Sequence, residues 1–196
     1  MDIPFSLAGR TALIAGASSG FGARFAALFA AAGARVVLGA RRTDRTAELA
    51  EKIKAAGGEA LAVPLDVTDE ASIIAAYDAA EERFGTVDSI VANAGVAATG
   101  RSTDVPADRL QMLLDTNFKG VYLVAREGAK RLIASGSREK ENGRIVIIGS
   151  ITSRLTGEGD SAYAASKAGV THLGRNLARE WVRMGVNVNT IHPGYI

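Results

Sequence analysis

The sequence predicts an α/β fold in which helices cover both faces of a doubly wound, parallel β-sheet. Short apolar segments alternate along the whole chain with longer segments of helical periodicity. The apolar segments are rich in Val, Ile and Ala, as is usual for strands buried on both faces. A glycine-rich turn joins the first strand to the first helix. Alternation of this kind implies right-handed crossovers between parallel strands.

The elements follow in order along the chain. Thr11–Ala15 is a short apolar run, and the alanine-rich segment after its glycine turn is predicted to be a helix that Gly33 ends. The polar segment Ser135–Asn142, with its mixed charges, is expected to be a solvated loop. The predicted strands are Thr11–Ala15, Arg35–Gly39, Ala60–Pro64, Ser89–Ala92, Arg144–Ile148 and Val186–Ile191. The predicted helices are Gly22–Ala32, Thr43–Ala56, Asp69–Phe84, Ala107–Ala134 and Ala162–Met184.

Length and composition fit one globular domain spanning residues 1–196, since a chain of 196 residues can bury a sizeable core. Apolar residues make up 47% of the chain and charged residues 22%, which is ordinary for a globular protein. The net charge of +2 gives no support for binding to nucleic acid or to an anionic membrane. No segment is apolar enough to span a membrane, and the N-terminus, with Asp2 and Pro4, has no signal-peptide core. A cytoplasmic protein is therefore expected.

Cysteine and histidine usage excludes several kinds of site. The sequence contains no cysteine, so disulfides, thiol nucleophiles and cysteine metal ligands are excluded. His172 and His192 are isolated and have no carboxylates at ligand spacing. No metal site is predicted.

Three glycines, Gly16, Gly20 and Gly22, lie between the first strand and the first helix. Glycine lets the backbone turn sharply and lets a diphosphate approach closely. The free N–H groups and the dipole at the helix start then favour binding of the anion. An ordinary strand-to-helix turn is the alternative, but the place of these glycines at the first βα junction favours a nucleotide site.

Tyr163 and Lys167 stand four residues apart, so on a helix they share one face. An isolated phenol is a weak base at neutral pH, but a neighbouring cation stabilises the phenolate. The pair is therefore suited to passing a proton to or from an alcohol oxygen. A solvated helix face is the alternative. Ser150, thirteen residues before the tyrosine, strengthens the chemical interpretation.

The residues with potential chemistry share one position in the predicted fold. Gly16, Asp66, Asn93, Ser150 and Pro193 each follow a predicted strand. In open parallel sheets, ligands bind outside the carboxyl ends of the strands. The sequence therefore predicts one site at that edge of the sheet.

Together these residues resemble the short-chain dehydrogenase/reductase family, and the resemblance covers essentially the whole chain. It implies a Rossmann-like sheet. Asn117, Ser150, Tyr163 and Lys167 match the family's four catalytic residues in order. The other matching motifs are Gly16-x-x-x-Gly20-x-Gly22, Asp66-Val67, Asn93-Ala94-Gly95 and Pro193-Gly194. The series is specific to the family but not to a substrate.

The resemblance implies hydride transfer between a nicotinamide cofactor and a secondary alcohol or ketone. Tyr163 would exchange a proton with the substrate oxygen, and Ser150 would hydrogen-bond to that oxygen. Lys167 would stabilise the phenolate and hold the nicotinamide ribose. Asn117 would fix a water that links Lys167 to solvent. The alternatives are that Ser150 only ends a strand and that Asn117 only caps a turn within a long helix.

The resemblance also implies the cofactor contacts, with Ser150 and Tyr163 left to contact the substrate. Asp66 has a second interpretation, as the start of the next helix. The cofactor residues are Gly16, Ser18, Ser19, Gly20, Phe21, Gly22, Arg41, Arg42, Asp66, Val67, Asn93, Ala94, Gly95, Tyr163, Lys167, Pro193, Gly194 and Ile196.

The end of the second predicted strand favours NADP(H) over NAD(H). NAD sites place an acidic residue about 20 residues beyond the glycine loop. This chain has Ala40 there, followed by Arg41 and Arg42, which suit a 2′-phosphate. The loop serines, Ser18 and Ser19, add no cation of their own. The alternative is that both arginines are only the polar start of a helix.

The sequence departs from the family pattern at Ala15, at Ala92 and at its end. The family continues beyond the position of Ile196 with a substrate-covering segment, a helix and a seventh strand. We therefore expect the chain to be a fragment, and a protein ending there to be weakly active and poorly soluble. The alternative function is nucleotide binding without turnover. Apolar faces on the two long helices predict a homodimer or homotetramer.

Overall fold

The central sheet is built from six parallel strands. The computed structural model describes residues 5–97 and 100–194. Within those ranges the strand order is β3-β2-β1-β4-β5-β6, so the chain winds in both directions from β1 and the predicted fold class is confirmed. The strands are β1 (Thr11–Ala15), β2 (Arg35–Ala40), β3 (Glu59–Pro64), β4 (Ser89–Ala92), β5 (Gly143–Ile148) and β6 (Val186–Ile191).

Helices cover both faces of this sheet. Burial of both faces follows from the mainly apolar inner strands, as neighbouring residues point to opposite sides. Leu13 packs with the core on one side and Ile14 with the core on the other, each fully buried. Burying such a side chain contributes roughly 1.5–3 kcal/mol. The helices are α1 (Gly20–Ala31), α2 (Thr43–Ala55), α3 (Glu70–Phe84), α4 (Ala107–Leu114), α5 (Val121–Ala134), α6 (Ser137–Lys140) and α7 (Ser161–Trp181).

The two faces carry different helices. Helices α1 and α2 contribute Ala26, Ala50 and Ile53 to one core. Helices α3, α5 and α7 contribute to the other core, which contains Tyr77 and Trp181. None of the helices in the described ranges has the length and apolar character needed to cross a membrane.

The predicted single helix Ala107–Ala134 is wrong in one respect. A six-residue π-helical segment, Asp115–Gly120, separates α4 from α5. Within this segment, Gly120 lies close to the turn that follows β3. A Cβ on Gly120 would lie 2.7 Å from Val67 Cγ2. A single π segment leaves the apolar periodicity on both sides nearly intact, so the sequence pattern did not reveal it.

The expectation of a solvated loop at Ser135–Asn142 is wrong for the loop, although the charged side chains are exposed as expected. The segment contains the short helix α6, and Ser137 at its start is fully buried. The Ser137 hydroxyl donates a 2.6 Å hydrogen bond to the Met184 carbonyl. A short 3₁₀ turn, Val182–Met184, follows α7 there. The polar segment therefore packs against the end of α7, and its charges lie on the outer side.

Candidate active site

A cleft of about 550 Å³ runs along the carboxyl ends of the strands. It brings together sixteen of the predicted site residues: Gly16, Ser18, Ser19, Phe21, Arg41, Arg42, Asp66, Val67, Asn93, Ala94, Gly95, Ser150, Tyr163, Lys167, Pro193 and Gly194. Gly20, Gly22 and Asn117 lie outside its wall, and Ile196 lies outside the described residues. The prediction missed seven further lining residues: Ala40, Leu65, Val96, Ala97, Thr116, Ile148 and Gly149. Most of these lie at strand ends, which was the available signal.

The glycine loop leaves room for a diphosphate at the start of α1. Gly20 has a φ of +56°, and no atom lies within 4 Å of where its Cβ would be. A side chain at this position would be strained and would project into the open space. Gly22 packs behind the loop, where a Cβ would overlap the Gly16 carbonyl and lie 2.7 Å from Asn93 Nδ2. The first turn of α1 has no acidic residue, so its N–H groups face an anion unopposed.

Asn93 links the glycine loop to the neighbouring strand. Its Nδ2 atom donates to the Gly16 carbonyl at 3.0 Å and to the Ala15 carbonyl at 3.3 Å. The amide therefore ties the end of β4 to the end of β1. This hydrogen bonding fixes the loop in the shape that leaves space above Gly20.

Arg42 reaches across to the glycine loop. Its guanidinium donates to Ser18 Oγ at 2.9 and 3.2 Å and to Ser19 Oγ at 2.8 Å. The two serines thus bring a cation to the loop, which the sequence did not reveal. Because its serine partners are uncharged, they do not neutralise the positive charge of Arg42. Within the described residues Arg42 also forms no ion pair with a carboxylate.

Asp66 shapes the turn after β3 and also lines the cleft. Its Oδ1 atom accepts hydrogen bonds from the Thr68 N–H at 3.0 Å and the Thr68 hydroxyl at 2.8 Å. Burial alone would raise the pKa of Asp66, but the hydrogen bonds from Thr68 outweigh it, so the pKa is lowered and the carboxylate stays ionised. The N-cap of α3 is Asp69, whose side chain accepts from Ala71 N. The interpretation of Asp66 as that helix's cap is therefore wrong.

Lys167 is buried beneath the cleft, with 4% of its surface exposed. Its Nζ atom donates to the Ile148 carbonyl at 2.8 Å and lies 5.8 Å from the centroid of the Tyr163 ring. Burial lowers the pKa of Lys167 to about 8. The ammonium can therefore exchange a proton near neutral pH, which an exposed lysine does poorly.

Asn117 is fully buried in the π-helical segment, and its side chain is held by three hydrogen bonds. It accepts from Val96 N at 2.8 Å, donates to Val96 O at 2.9 Å and donates to Ser166 Oγ at 3.2 Å. A Cβ on Gly95 would lie 3.3 Å from Asn117 Oδ1 and 3.6 Å from Lys167 Nζ. The lack of a side chain at Gly95 thus keeps a space between the amide and the ammonium.

Ser150 follows β5 and caps a short 3₁₀ turn, Ile151–Ser153. Its Oγ atom accepts from the Thr152 N–H at 3.2 Å, and Thr152 Oγ1 lies 2.9 Å away. The Ser150 carbonyl accepts from the Ser153 hydroxyl at 2.7 Å and lies 3.2 Å from His192 Nδ1. Ser150 therefore lies two residues beyond the end of β5, where it caps this turn and also presents a held hydroxyl to the cleft that Tyr163 and Lys167 line.

The described residues contain no group of three or more His, Asp or Glu side chains arranged to hold a metal ion. Besides the Asp66 carboxylate, which Thr68 holds, and the Asn93 amide, the cleft offers hydroxyls, one buried amine and exposed guanidinium groups. These groups suit proton exchange with an oxygen atom and binding of phosphate.

Comparison with known proteins identifies the family of this chain and several of its relatives. The family model described as short chain dehydrogenase matches residues 10–196. Oxidoreductase UcpA of Salmonella typhimurium is 38% identical over 191 residues, which cover 97% of this chain and 70% of the relative. Cis-4-hydroxycyclohexanecarboxylate dehydrogenase of Sinomonas cyclohexanicum is 38% identical over 195 residues, which cover 97% and 74% of the two chains.

Solved structures of related dehydrogenases have the same fold as this chain. A short-chain type dehydrogenase/reductase from Mycobacterium marinum superposes with a TM-score of 0.92 at 34% identity, covering 97% of this chain and 76% of that one. A gluconate 5-dehydrogenase from Burkholderia cenocepacia, solved in complex with NADP and tartrate, superposes with a TM-score of 0.90 at 34% identity, covering 97% and 73%.

Proposed function

This chain belongs to the short-chain dehydrogenase family of oxidoreductases, and we propose that it catalyses the NADP(H)-dependent interconversion of a secondary alcohol and a ketone. The observation that carries the proposal is the single cleft that joins the glycine loop to Ser150, Tyr163 and Lys167. A nucleotide-binding protein without turnover would need the loop and the contact of Lys167 with the ribose. The hydroxyls of Ser150 and Tyr163 in the same cleft are what favour turnover.

The residues of this chain supply proton transfer and orientation. When bound, the nicotinamide cofactor supplies or accepts the hydride. Tyr163 gives its hydroxyl proton to the carbonyl oxygen during reduction and takes a proton from the alcohol during oxidation. Ser150 hydrogen-bonds to the same oxygen and stabilises the negative charge that develops on it. Lys167 stabilises the phenolate and holds the cofactor ribose.

The proton that Tyr163 exchanges must reach solvent. With a pKa lowered to about 8, Lys167 can take up and release a proton at neutral pH. The space beside Gly95 would admit a water between Lys167 and Asn117. We infer that Asn117 contributes in two ways, because it borders this space and also clamps Val96 and Ser166 beside the tyrosine.

Arg42 is the residue that favours NADP(H). Ala40 stands at the end of β2, where a carboxylate would repel a 2′-phosphate, and Arg42 is held by Ser18 and Ser19 at the glycine loop. A guanidinium already positioned by hydroxyl groups loses little conformational freedom when it binds a phosphate. Arg41 also lines the cleft, and its charge adds to the Thr68 hydrogen bonds that lower the pKa of Asp66 against the effect of burial. Arg42 is thus the stronger candidate of the two.

We expect Arg42→Ala to weaken NADPH binding roughly 10–100-fold, because a charge-assisted hydrogen bond contributes about 1.5–3 kcal/mol. NADH, which lacks the 2′-phosphate, should bind within about threefold of its original affinity. Arg41→Ala is the matched control and should have the smaller effect. Fluorescence titration with both cofactors measures the four dissociation constants for these variants. Adding Ala40→Asp to Arg42→Ala should then favour NADH, and a wild-type preference for NADH would refute the assignment.

Turnover distinguishes the enzyme from the nucleotide-binding alternative. The natural protein that contains this sequence is incubated with NADPH and a panel of ketones, and with NADP⁺ and the matching alcohols, while absorbance at the nicotinamide band is followed. The names of two relatives argue for including sugar acids and hydroxylated cyclohexanecarboxylates. Tight NADPH binding without turnover of any compound would favour the alternative.

A second copy of the chain is the partner we propose for the exposed side of α4 and α5. Leu110, Leu114, Phe118 and Tyr122 lie four residues apart along one stripe, and each is 37–40% exposed. Large apolar side chains in such a continuous stripe are usual at interfaces between protein chains. An isologous contact through this stripe would give a homodimer, and a second contact would give a homotetramer.

Light scattering at micromolar concentration should therefore give at least the mass of a dimer. Phe118→Glu should lower the measured mass, because it places a charge at the centre of the stripe. Leu155→Glu is the control, since Leu155 is 50% exposed in a different part of the surface. A wild-type monomer, or equal effects of the two variants, would contradict the proposed interface.

A further inference from the structure

The hydroxyl of Thr152 is the nearest side-chain partner that the structure gives to Ser150. Thr152 Oγ1 lies 2.9 Å from Ser150 Oγ, and the Thr152 N–H donates to the same oxygen at 3.2 Å. Ser150 itself is nearly buried, with 8% of its surface exposed. The oxygen that would contact the substrate is thus held by the N–H and the hydroxyl of one residue.

Two arrangements of the hydroxyl protons satisfy this geometry, and they differ in what remains available for a ligand. If Ser150 donates to Thr152, its only proton is used inside the protein. If Thr152 donates to Ser150, both lone pairs of Ser150 Oγ are occupied and its proton is left over. Only the second arrangement leaves a donor for a carbonyl oxygen in the cleft.

We propose that Thr152 is a positioning residue for Ser150, whose hydroxyl it holds as a hydrogen-bond donor directed at the substrate oxygen. A hydroxyl that accepts hydrogen bonds is also polarised and becomes a stronger donor itself. The effect is therefore largest when negative charge develops on the substrate oxygen. This inference rests on the proposed alcohol and ketone chemistry.

Groups other than the Thr152 hydroxyl hold the backbone around Ser150. The Ser153 hydroxyl holds the Ser150 carbonyl at 2.7 Å, and His192 Nδ1 lies 3.2 Å from the same carbonyl. Ser150 Oγ caps the short turn by accepting from the Thr152 N–H, a hydrogen bond that does not use the Thr152 side chain. Removing the Thr152 hydroxyl should therefore leave the turn, the cleft and the cofactor site in place.

Thr152→Val removes the hydroxyl at nearly constant volume and should lower kcat roughly tenfold, the cost of about one hydrogen bond in the transition state. The KM for ketone and the dissociation constant for NADPH should stay within twofold. Thr152→Ser should restore kcat. Thr156→Val is the matched control, since Thr156 is an exposed threonine of the same loop, and it should match the wild type.

A double-mutant cycle shows whether Thr152 acts through Ser150. In a Ser150→Ala background, Thr152→Val should change kcat less than twofold, because the group it positions is gone. A second tenfold loss in that background would overturn the proposal. So would an unchanged kcat in the single variant Thr152→Val.

Neutron diffraction from deuterium-exchanged crystals tests the proton arrangement without any turnover. The Thr152 deuterium should lie on the line to Ser150 Oγ, and the Ser150 deuterium should point into the cleft. A Ser150 deuterium on the line to Thr152 Oγ1 would overturn the proposal. Lack of turnover across the whole substrate panel would instead count against the proposed function, and the neutron result would still decide the role of Thr152.

Discussion

Replacing Tyr163 with Phe should lower kcat by roughly 10²–10⁴-fold, the usual contribution of a positioned general acid or base. The substitution removes one oxygen and leaves the ring that packs 5.8 Å from Lys167 Nζ. Because the glycine loop and Arg42 lie at the other end of the cleft, NADPH should bind with nearly unchanged affinity. Stopped-flow measurement of NADPH oxidation gives the rate, and fluorescence titration gives the affinity.

Two further variants make this result specific. Tyr122→Phe removes a phenol from the exposed side of α5 and should leave kcat unchanged. Lys167→Met removes the buried amine and should weaken cofactor binding as well as turnover, because we propose two roles for that residue. Near-normal turnover of Tyr163→Phe would reject the proposed mechanism, even if the protein binds NADPH tightly.

The strands could be predicted to within one residue because they are buried on both faces. Most are short runs of apolar residues, β6 alternates Val with polar residues, and β1, β4 and β6 have the predicted bounds. Helix ends were less accurate, as for α1, which begins at Gly20 instead of Gly22. Terminal turns are held by few tertiary contacts, so local sequence specifies them weakly.

Interactions between distant segments could not be predicted. Neither Arg42 nor Ser18 carries a local signal that they will meet, since 24 residues separate them and the contact depends on the alignment of β1 and β2. Thr152 was overlooked for a related reason, as a threonine after a strand is common. The π-helical segment around Asn117 depends on the close approach of Gly120 to Val67, which only the folded chain creates.

Among the described residues, the largest cluster of charged side chains outside the cleft is centred on Arg131. Its guanidinium pairs with Glu127 at 2.8 Å on its own helix, and with Asp78 at 2.7 Å and Glu81 at 2.8 Å on α3. It also lies 5.4 Å from the centroid of the Tyr77 ring. The Glu127 side chain is only 7% exposed, so its charge depends on these partners. The cluster therefore joins α3 to α5 on the face of the sheet that carries the catalytic candidates.

Arg131→Met should lower the free energy of unfolding by roughly 2–4 kcal/mol, because it leaves a buried carboxylate with Lys130 as its remaining partner. Urea denaturation at neutral pH measures the change. Lys54→Met is the matched control, since the Lys54–Glu51 pair is largely exposed and such pairs contribute little. Combining Arg131→Met with Glu127→Leu should recover much of the loss, because no buried charge is then left unpaired.

The ion pair of Glu127 and Arg131 also gives the sign of the pH dependence of stability. Burial alone would raise the pKa of Glu127, but hydrogen bonds from Arg131 and Lys130 outweigh it, so the pKa lies below its usual value of 4.5. A carboxyl group whose pKa is lowered on folding stabilises the protein fully at a pH above the pKa it has in the unfolded state. This contribution is lost as the pH falls through the pKa it has in the folded state. The difference in unfolding free energy between wild type and Arg131→Met should therefore be full at pH 7 and shrink as acid protonates Glu127 in both folded proteins. A difference that stays constant or grows with acid would show that Arg131 stabilises the protein by packing against Tyr77 and not through its charge.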